Sequence, residues 1–249
     1  MWKAKLILFA FWACFAAPLF AVDCDVVGFE GADYSVCEVD ATQQQIRFFL
    51  NNPETDQPLG SFGNVQNLAN EDDQILLFGM NGGMYHQDRR PVGLYVEDGK
   101  AQSKLITSAG PGNFGLIPNG VFCVREGRAD IFETLRFKER APDCKFATQS
   151  GPMLVIDSAL HPRFLPKSDS LHIRNGVGTS ADGSKVWFAI SQEPVNFHSF
   201  ARLFRDHLKT PNALFLDGSI SKLFAQELNR RDLGFPMGPI IGVVDARSN

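Results

Sequence analysis

The chain has 249 residues, 44% of them hydrophobic, and its 24 basic against 28 acidic side chains give a formal net charge of -4. That balance provides no basic field to collect nucleic acid, and no block of like charge marks an interaction tail. The 22 phenylalanines against 3 tyrosines point to a filled apolar interior rather than a Tyr-rich binding surface.

At the N-terminus Lys3 and Lys5 precede an apolar run over residues 6–20, which closes on Ala21 before Val22 and the acidic Asp23. Basic, apolar and small in that order is an export signal. The run is shorter than the roughly 20 apolar residues of a spanning helix, and Pro18 lies near its end. Cleavage after residue 21 then leaves residues 22–249 as an exported domain, periplasmic or extracellular, with no membrane span. Cys14 follows Trp12 and Ala13, and the bulky Trp stands where a lipidation site needs a small residue.

The exported part holds Cys24, Cys37, Cys123 and Cys144. An even number outside the reducing compartment reads as two disulfides with three possible pairings, of which sequence proximity favours Cys24 with Cys37 and Cys123 with Cys144. No cysteine pair has zinc-knuckle spacing, so no metal site is expected from them. No cofactor is expected either.

Short runs of β-rich composition recur at 34–39, 45–50, 74–80, 92–97, 120–124, 153–156, 185–190 and 213–216. Turn punctuation at 97–100, 125–128 and 181–184, each with a glycine, predicts hairpins. A helix is predicted over 196–208, where Phe197, Phe200, Ala201, Phe204 and Leu208 repeat at three and four residues, and a shorter one over 61–70. Strands do not alternate regularly with long helices, and no linker divides the chain. The expected class is therefore α+β, a sheet-dominated single domain with mixed or antiparallel strands and few helices.

Four segments set polar residues against glycine or proline beside apolar runs. In Phe78-Gly79-Met80-Asn81-Gly82-Gly83-Met84-Tyr85, Asn81 leaves a buried strand where it can bond a ligand hydroxyl; an Asn-Gly turn is its alternative role. His86 follows, as a base or a surface residue. In Gln149-Ser150-Gly151-Pro152-Met153-Leu154-Val155 a polar pair precedes a strand whose entry angle Pro152 fixes, and Ser150 lacks the preceding glycine of a nucleophile elbow.

In His172-Ile173-Arg174-Asn175-Gly176-Val177-Gly178-Thr179 a guanidinium stands beside a glycine-flexible turn, suited to a phosphate or carboxylate. In Ala213-Leu214-Phe215-Leu216-Asp217-Gly218-Ser219-Ile220-Ser221 an acid closes an apolar run. That position is costly unless the acid is paired, solvated or functional. Asp217 is the strongest catalytic candidate on these grounds, with a turn aspartate as the alternative.

Taken in order, the first, second, third and fourth segments, together with Asn113-Phe114 and Pro118-Asn119-Gly120-Val121-Phe122, resemble the phosphodiester glycosidase family over about residues 75–225. The resemblance implies hydrolysis of a sugar-1-phosphodiester on the sugar side. Asp217 would be the carboxylate, as base or electrostatic stabiliser, and Arg174 would grip the phosphate. Asn81 and Gln149 would orient sugar hydroxyls, with Gly151, Gly218 and Ser221 completing the substrate side. Asp157, Asp182 and Glu193 are possible second carboxylates, Asp182 being also the turn residue of its hairpin. The expected partner is a sugar-phosphodiester or a cell-envelope glycan. Two other readings compete: a non-catalytic module that binds cell-surface glycans, and a structural protein in which the four motifs are turns lying far apart.

Overall fold

A computed structural model describes residues 22–217 and 219–247. The export segment predicted over residues 1–21, and Gly218, lie outside the described residues.

The eight predicted runs all form strands, and every pairing among the described residues is antiparallel. One sheet has seven strands in the order Asp23–Phe29, Ala32–Asp40, Lys185–Ser191, Asn175–Thr179, Asn212–Asp217, Met153–Ile156 and Ala159–Leu160. A second orders Arg230–Arg231, Leu223–Ala225, Gln74–Asn81, Ile240–Ala246 and Gln45–Phe49. The third orders Lys100–Ser103, Tyr95–Glu97, Phe146–Ser150, Gly120–Arg125 and Arg128–Glu133. The protein is α+β and sheet-dominated.

The apolar faces of all three sheets meet in one core. Phe48 stacks on Phe122 with ring centroids 5.9 Å apart, Phe122 meets Phe188 edge-on at 5.9 Å, and Phe188 meets Phe78 at 4.8 Å. This chain of rings joins one strand of each sheet to the next, so the phenylalanine excess serves the interior. The three hairpins form where glycine supplies positive φ: Gly99 at 73°, Gly127 at 63° and Gly183 at 76°.

Each helix covers one sheet. Phe62–Glu71 begins at Ser61, whose side chain accepts from the Asn64 N–H, and buries Phe62, Val65 and Ala69 against the second sheet. Thr134–Arg140 packs Phe137 on the third. The predicted helix at 196–208 is α-helical over Phe197–Arg202 and continues as a π-helix over Leu203–His207, lying on the first sheet. No helix among the described residues is long and apolar enough to cross a membrane.

The glycine-rich stretch after Arg174 is not the turn its composition suggests. Asn175–Thr179 is a fully buried strand between Lys185–Ser191 and Asn212–Asp217. Its glycines admit close neighbours: a Cβ on Gly178 would stand 2.7 Å from a Phe204 ring carbon, and one on Gly176 would stand 2.9 Å from the Leu214 carbonyl oxygen.

Cys24 is bonded to Cys37 and Cys123 to Cys144. Each bond ties neighbouring structure over 13 and 21 residues, and loops of this size restrict the unfolded chain by about 3 kcal/mol each in the chain-entropy picture.

One buried acid makes stability depend on pH. Glu97 accepts a hydrogen bond from the Tyr95 hydroxyl at 2.8 Å, and burial pushes its carboxyl up to about 7, with Asp98 adding repulsion and Arg47 opposing it. The folded state therefore holds a proton that the unfolded chain releases near pH 4. This contribution is complete below the unfolded value and is lost as pH rises through 7. Urea midpoints should fall between pH 5 and 8, and Glu97→Gln should flatten that slope and stabilise the protein above pH 7 by about 1–3 kcal/mol. An unchanged slope in the variant would refute this assignment.

Candidate active site

The site forms where strands of two sheets end side by side. Gln74–Asn81 terminates in Asn81 and Asn212–Asp217 in Asp217, while Asn175 opens its own strand in register with Asp217. All three residues are buried. They meet through one side chain: the Asn175 amide oxygen accepts the Asp217 N–H at 3.0 Å, and its amide nitrogen donates to Asn81 Oδ1. Asn81 Oδ1 accepts a second bond from the Lys222 N–H at 2.9 Å. Residues 94 and 141 positions apart in the chain thus share one acceptor.

The Asn81 Nδ2 donor is left over, buried and without a hydrogen-bond partner among the described residues. Such a group costs free energy unless something bonds it, so this donor is open to a further acceptor.

Asp217 is 6% exposed, and its Oδ1 accepts the Ser219 N–H at 3.0 Å. The Ser221 hydroxyl lies 3.0 Å from the Asp217 carbonyl oxygen and 3.1 Å from that of Ile173, tying it to the segment that leads through Arg174 into the strand Asn175–Thr179. Tyr85 lies close enough to feel the aspartate. Burial raises its hydroxyl above the usual phenol value, and the Asp217 charge raises it further. A Cβ on Gly238 would stand 2.5 Å from the Tyr85 ring, so glycine there is what lets the ring lie against the 236–239 loop.

Arg174 is 1% exposed. Its Nε donates to the Val195 carbonyl at 2.8 Å and Nη2 to that of Ser170 at 2.9 Å, which leaves Nη1 buried with no hydrogen-bond partner. The guanidinium lies 3.6 Å from the Phe197 ring centroid and 5.6 Å from that of Phe215, and burial lowers its pKa to about 10. Two of the three guanidinium nitrogens hold main-chain carbonyls, and Nη1 is the nitrogen with no partner.

Gln149 and Gly151 make internal contacts. Gln149 Oε1 accepts from Leu94 N at 3.1 Å and Ile106 N at 2.9 Å, while Nε2 donates to Ile106 O at 2.6 Å and Thr134 Oγ1 at 3.2 Å. Its amide fastens the 94–106 segment. A Cβ on Gly151 would stand 2.6 Å from the Asn119 Cβ, so glycine there permits two chain segments to pass.

The three possible second carboxylates lie in other surroundings. Asp157 pairs with Arg136 at 2.7 Å on the surface. Asp182 accepts from Ser180 and Ser184 in its hairpin, which brings its carboxyl down to about 2. Glu193 accepts the Asp33 N–H at 2.9 Å. His86 is exposed. Tyr85, Asn175 and Lys222 are site residues that sequence reasoning did not select. Tyr85 and Asn175 stood inside the segments picked for Asn81 and Arg174, whereas Lys222 stood in none of them.

A cleft of about 680 Å³ opens beside the Asp217 turn, lined by Ser219, Ser221 and Lys222 on one side and Leu233 and Phe235 on the other. A second cleft of about 520 Å³, between Gln43, Arg47, Arg125 and Lys145, shares no residue with the Asn81–Asp217 cluster. No group of three or more His, Cys, Asp or Glu side chains among the described residues is arranged to hold a metal ion.

The family model for phosphodiester glycosidase matches residues 75–244, more than half of the chain and the whole Asn81–Asp217 cluster. The chain belongs to that family. Strands Asp23–Phe29, Ala32–Asp40 and Gln45–Phe49 precede the matched phosphodiester glycosidase span, yet Ala32–Asp40 and Gln45–Phe49 pair with strands inside it, and Asp23–Phe29 adds the edge beyond Ala32–Asp40.

Among individual relatives, the uncharacterized protein YigE of Escherichia coli K12 is 40% identical over 145 residues, which is 58% of this chain and 56% of YigE. This chain thus matches little more than half the length of that relative. Of solved structures, the catalytic domain of zebrafish N-acetylglucosamine-1-phosphodiester alpha-N-acetylglucosaminidase, auto-inhibited by its pro-peptide, superposes with a TM-score of 0.60 at 12% identity. That match covers 89% of this chain and 81% of the zebrafish one. A hypothetical protein from Synechocystis gives 0.57 at 12%, covering 89% and 61%, and an exported protein of Burkholderia pseudomallei gives 0.52 at 11%, covering 85% and 74%. At these identities the structural likeness concerns the fold.

Proposed function

We infer that the protein is an exported hydrolase, periplasmic or extracellular, that cleaves a sugar-1-phosphodiester between the anomeric carbon and its oxygen. Residues 22–249 form the working domain. The observation that carries the reading is the meeting of Asn81, Asn175 and Asp217 at adjacent strand ends, with two buried donors, Asn81 Nδ2 and Arg174 Nη1, left for a ligand. A structural protein in which the motifs are only turns gives no reason for this convergence. The two disulfides suit an oxidising compartment.

The chemistry accounts for a single carboxylate. A phosphodiester departs as an anion without protonation, so no acid is needed on the leaving oxygen; the demand falls on the electron-poor anomeric carbon and on the incoming water. Asp217 stabilises that carbon and accepts the proton of the water as its oxygen bonds to the carbon. The C–O bond breaks with its electron pair going to the phosphate monoester. Asn81 Nδ2 bonds a sugar hydroxyl, Arg174 Nη1 bonds a phosphate oxygen, and Ser221 ties the segment after Asp217 to the Ile173 carbonyl.

The purified protein, given UDP-sugars and synthetic sugar-1-phosphodiesters, should release free sugar and phosphate monoester. Binding of these diesters without release of sugar from any of them would instead establish a glycan-binding module.

A further inference from the structure

Two features of the 680 Å³ cleft stand outside the hydrolytic cluster. Leu233 and Phe235 are 81% and 78% exposed, the most exposed of the large apolar side chains among the described residues, and both stand on its rim. Phe235 is held in place, since Lys222 Nζ donates to its carbonyl at 2.6 Å. The rim faces the catalytic cluster without a break: Ser219 binds Asp217 Oδ1, and Lys222 N binds Asn81 Oδ1.

Two polar side chains of the cleft wall are already engaged. Asp232 accepts from Leu223 N at 3.0 Å and from Arg230 at 2.8 Å, and the Ser221 hydroxyl lies against two main-chain carbonyls. A second sugar would need several open donors and acceptors on this wall. What the wall presents instead is Ile173, Ile220, Leu233 and Phe235, with the Lys222 ammonium among them.

We propose that this cleft is the leaving-group subsite, that Lys222 faces the phosphate there, and that the group beyond the phosphate is apolar, an alkyl or isoprenoid chain. The proposal rests on the hydrolytic reading for its name, and on the cleft alone for its chemistry. The product it predicts is an alkyl phosphate, and each methylene buried against Leu233 and Phe235 tightens binding by up to roughly fourfold.

Calorimetric titration with ethyl, butyl and octyl phosphate tests it on the purified protein. The wild type should bind octyl phosphate at least about tenfold more tightly than ethyl phosphate. The double variant Leu233→Ser, Phe235→Ser, altered at exposed positions only, should lose that dependence. Affinity independent of chain length, or a dependence that survives in the double variant, overturns the proposal. The same alkyl series as sugar-1-phosphodiesters separates the two readings. Turnover with no chain-length preference keeps the hydrolase and removes the apolar subsite, whereas chain-length-dependent binding with no turnover of any diester keeps the subsite and removes the reaction.

Discussion

Asp217→Asn is expected to lower kcat/KM on a sugar-1-phosphodiester by about 10³-fold or more, through kcat, with little change in thermal stability. The substitution keeps an oxygen to accept the Ser219 N–H and alters nothing at the backbone N–H that binds Asn175, so the turn survives. What disappears is the negative charge. In a position 6% exposed to water, that charge meets a developing cation in a low-dielectric setting where it is worth far more than in bulk solvent. The Tyr85 hydroxyl, whose pKa the aspartate raises after burial has done so, should titrate lower in the variant, which provides a spectroscopic check that the intended charge has been removed. Steady-state kinetics beside a melting curve decide the matter. Activity within tenfold of wild type would mean that Asp217 is a turn residue.

Asn81→Ala is expected to damage fold and activity together. Asn81 Oδ1 is the common acceptor of the Asn175 amide and the Lys222 N–H, all in a buried place, and its loss strands two donors. At about 1–3 kcal/mol for each buried group left unsatisfied, the protein should lose roughly 2–5 kcal/mol, or about 5–15 °C in Tm for a chain of this size. Asn175 would then position Asp217 with one support fewer, and the sugar would lose the Nδ2 donor. Differential scanning calorimetry and kinetics on the residual folded protein should both register the change. A variant with wild-type Tm would show that the shared acceptor holds nothing together.

The contrast between these two residues follows what could be read from the chain. Asp217 is legible because a carboxylate ending an apolar strand is expensive, and local sequence records that expense. Asn81 is legible for the same reason, as a polar residue closing a strand that is buried over its last six positions. Asn175 was hidden by its own neighbours. Gly176 and Gly178 resemble a flexible turn, while their purpose, to admit Phe204 and the Leu214 carbonyl, depends on residues some thirty positions away.

The surroundings of Gln149 were hidden for a related reason. Its amide sits in a fully buried strand and is held by the backbone of Leu94 and Ile106, which the sequence does not place beside it. Lys222 was invisible because its contribution to the cluster is made by a main-chain N–H.

The strands were easier to see. Eight apolar runs and three glycine turns were marked by local composition alone, and the helix beginning at Phe197 by its three-and-four spacing. Strands such as Asp23–Phe29 and Phe146–Ser150 escaped, since their polar content becomes strand-compatible only against Ala32–Asp40 and Gly120–Arg125.

The central claim is that the bond broken lies on the sugar side of the phosphodiester, and the position of a solvent oxygen tests it most directly. Hydrolysis in ¹⁸O-labelled water, followed by mass spectrometry of the phosphate monoester, should yield a monoester carrying no label, because the water oxygen goes to the anomeric carbon. A monoester carrying one ¹⁸O atom would mean attack at phosphorus and would contradict the account.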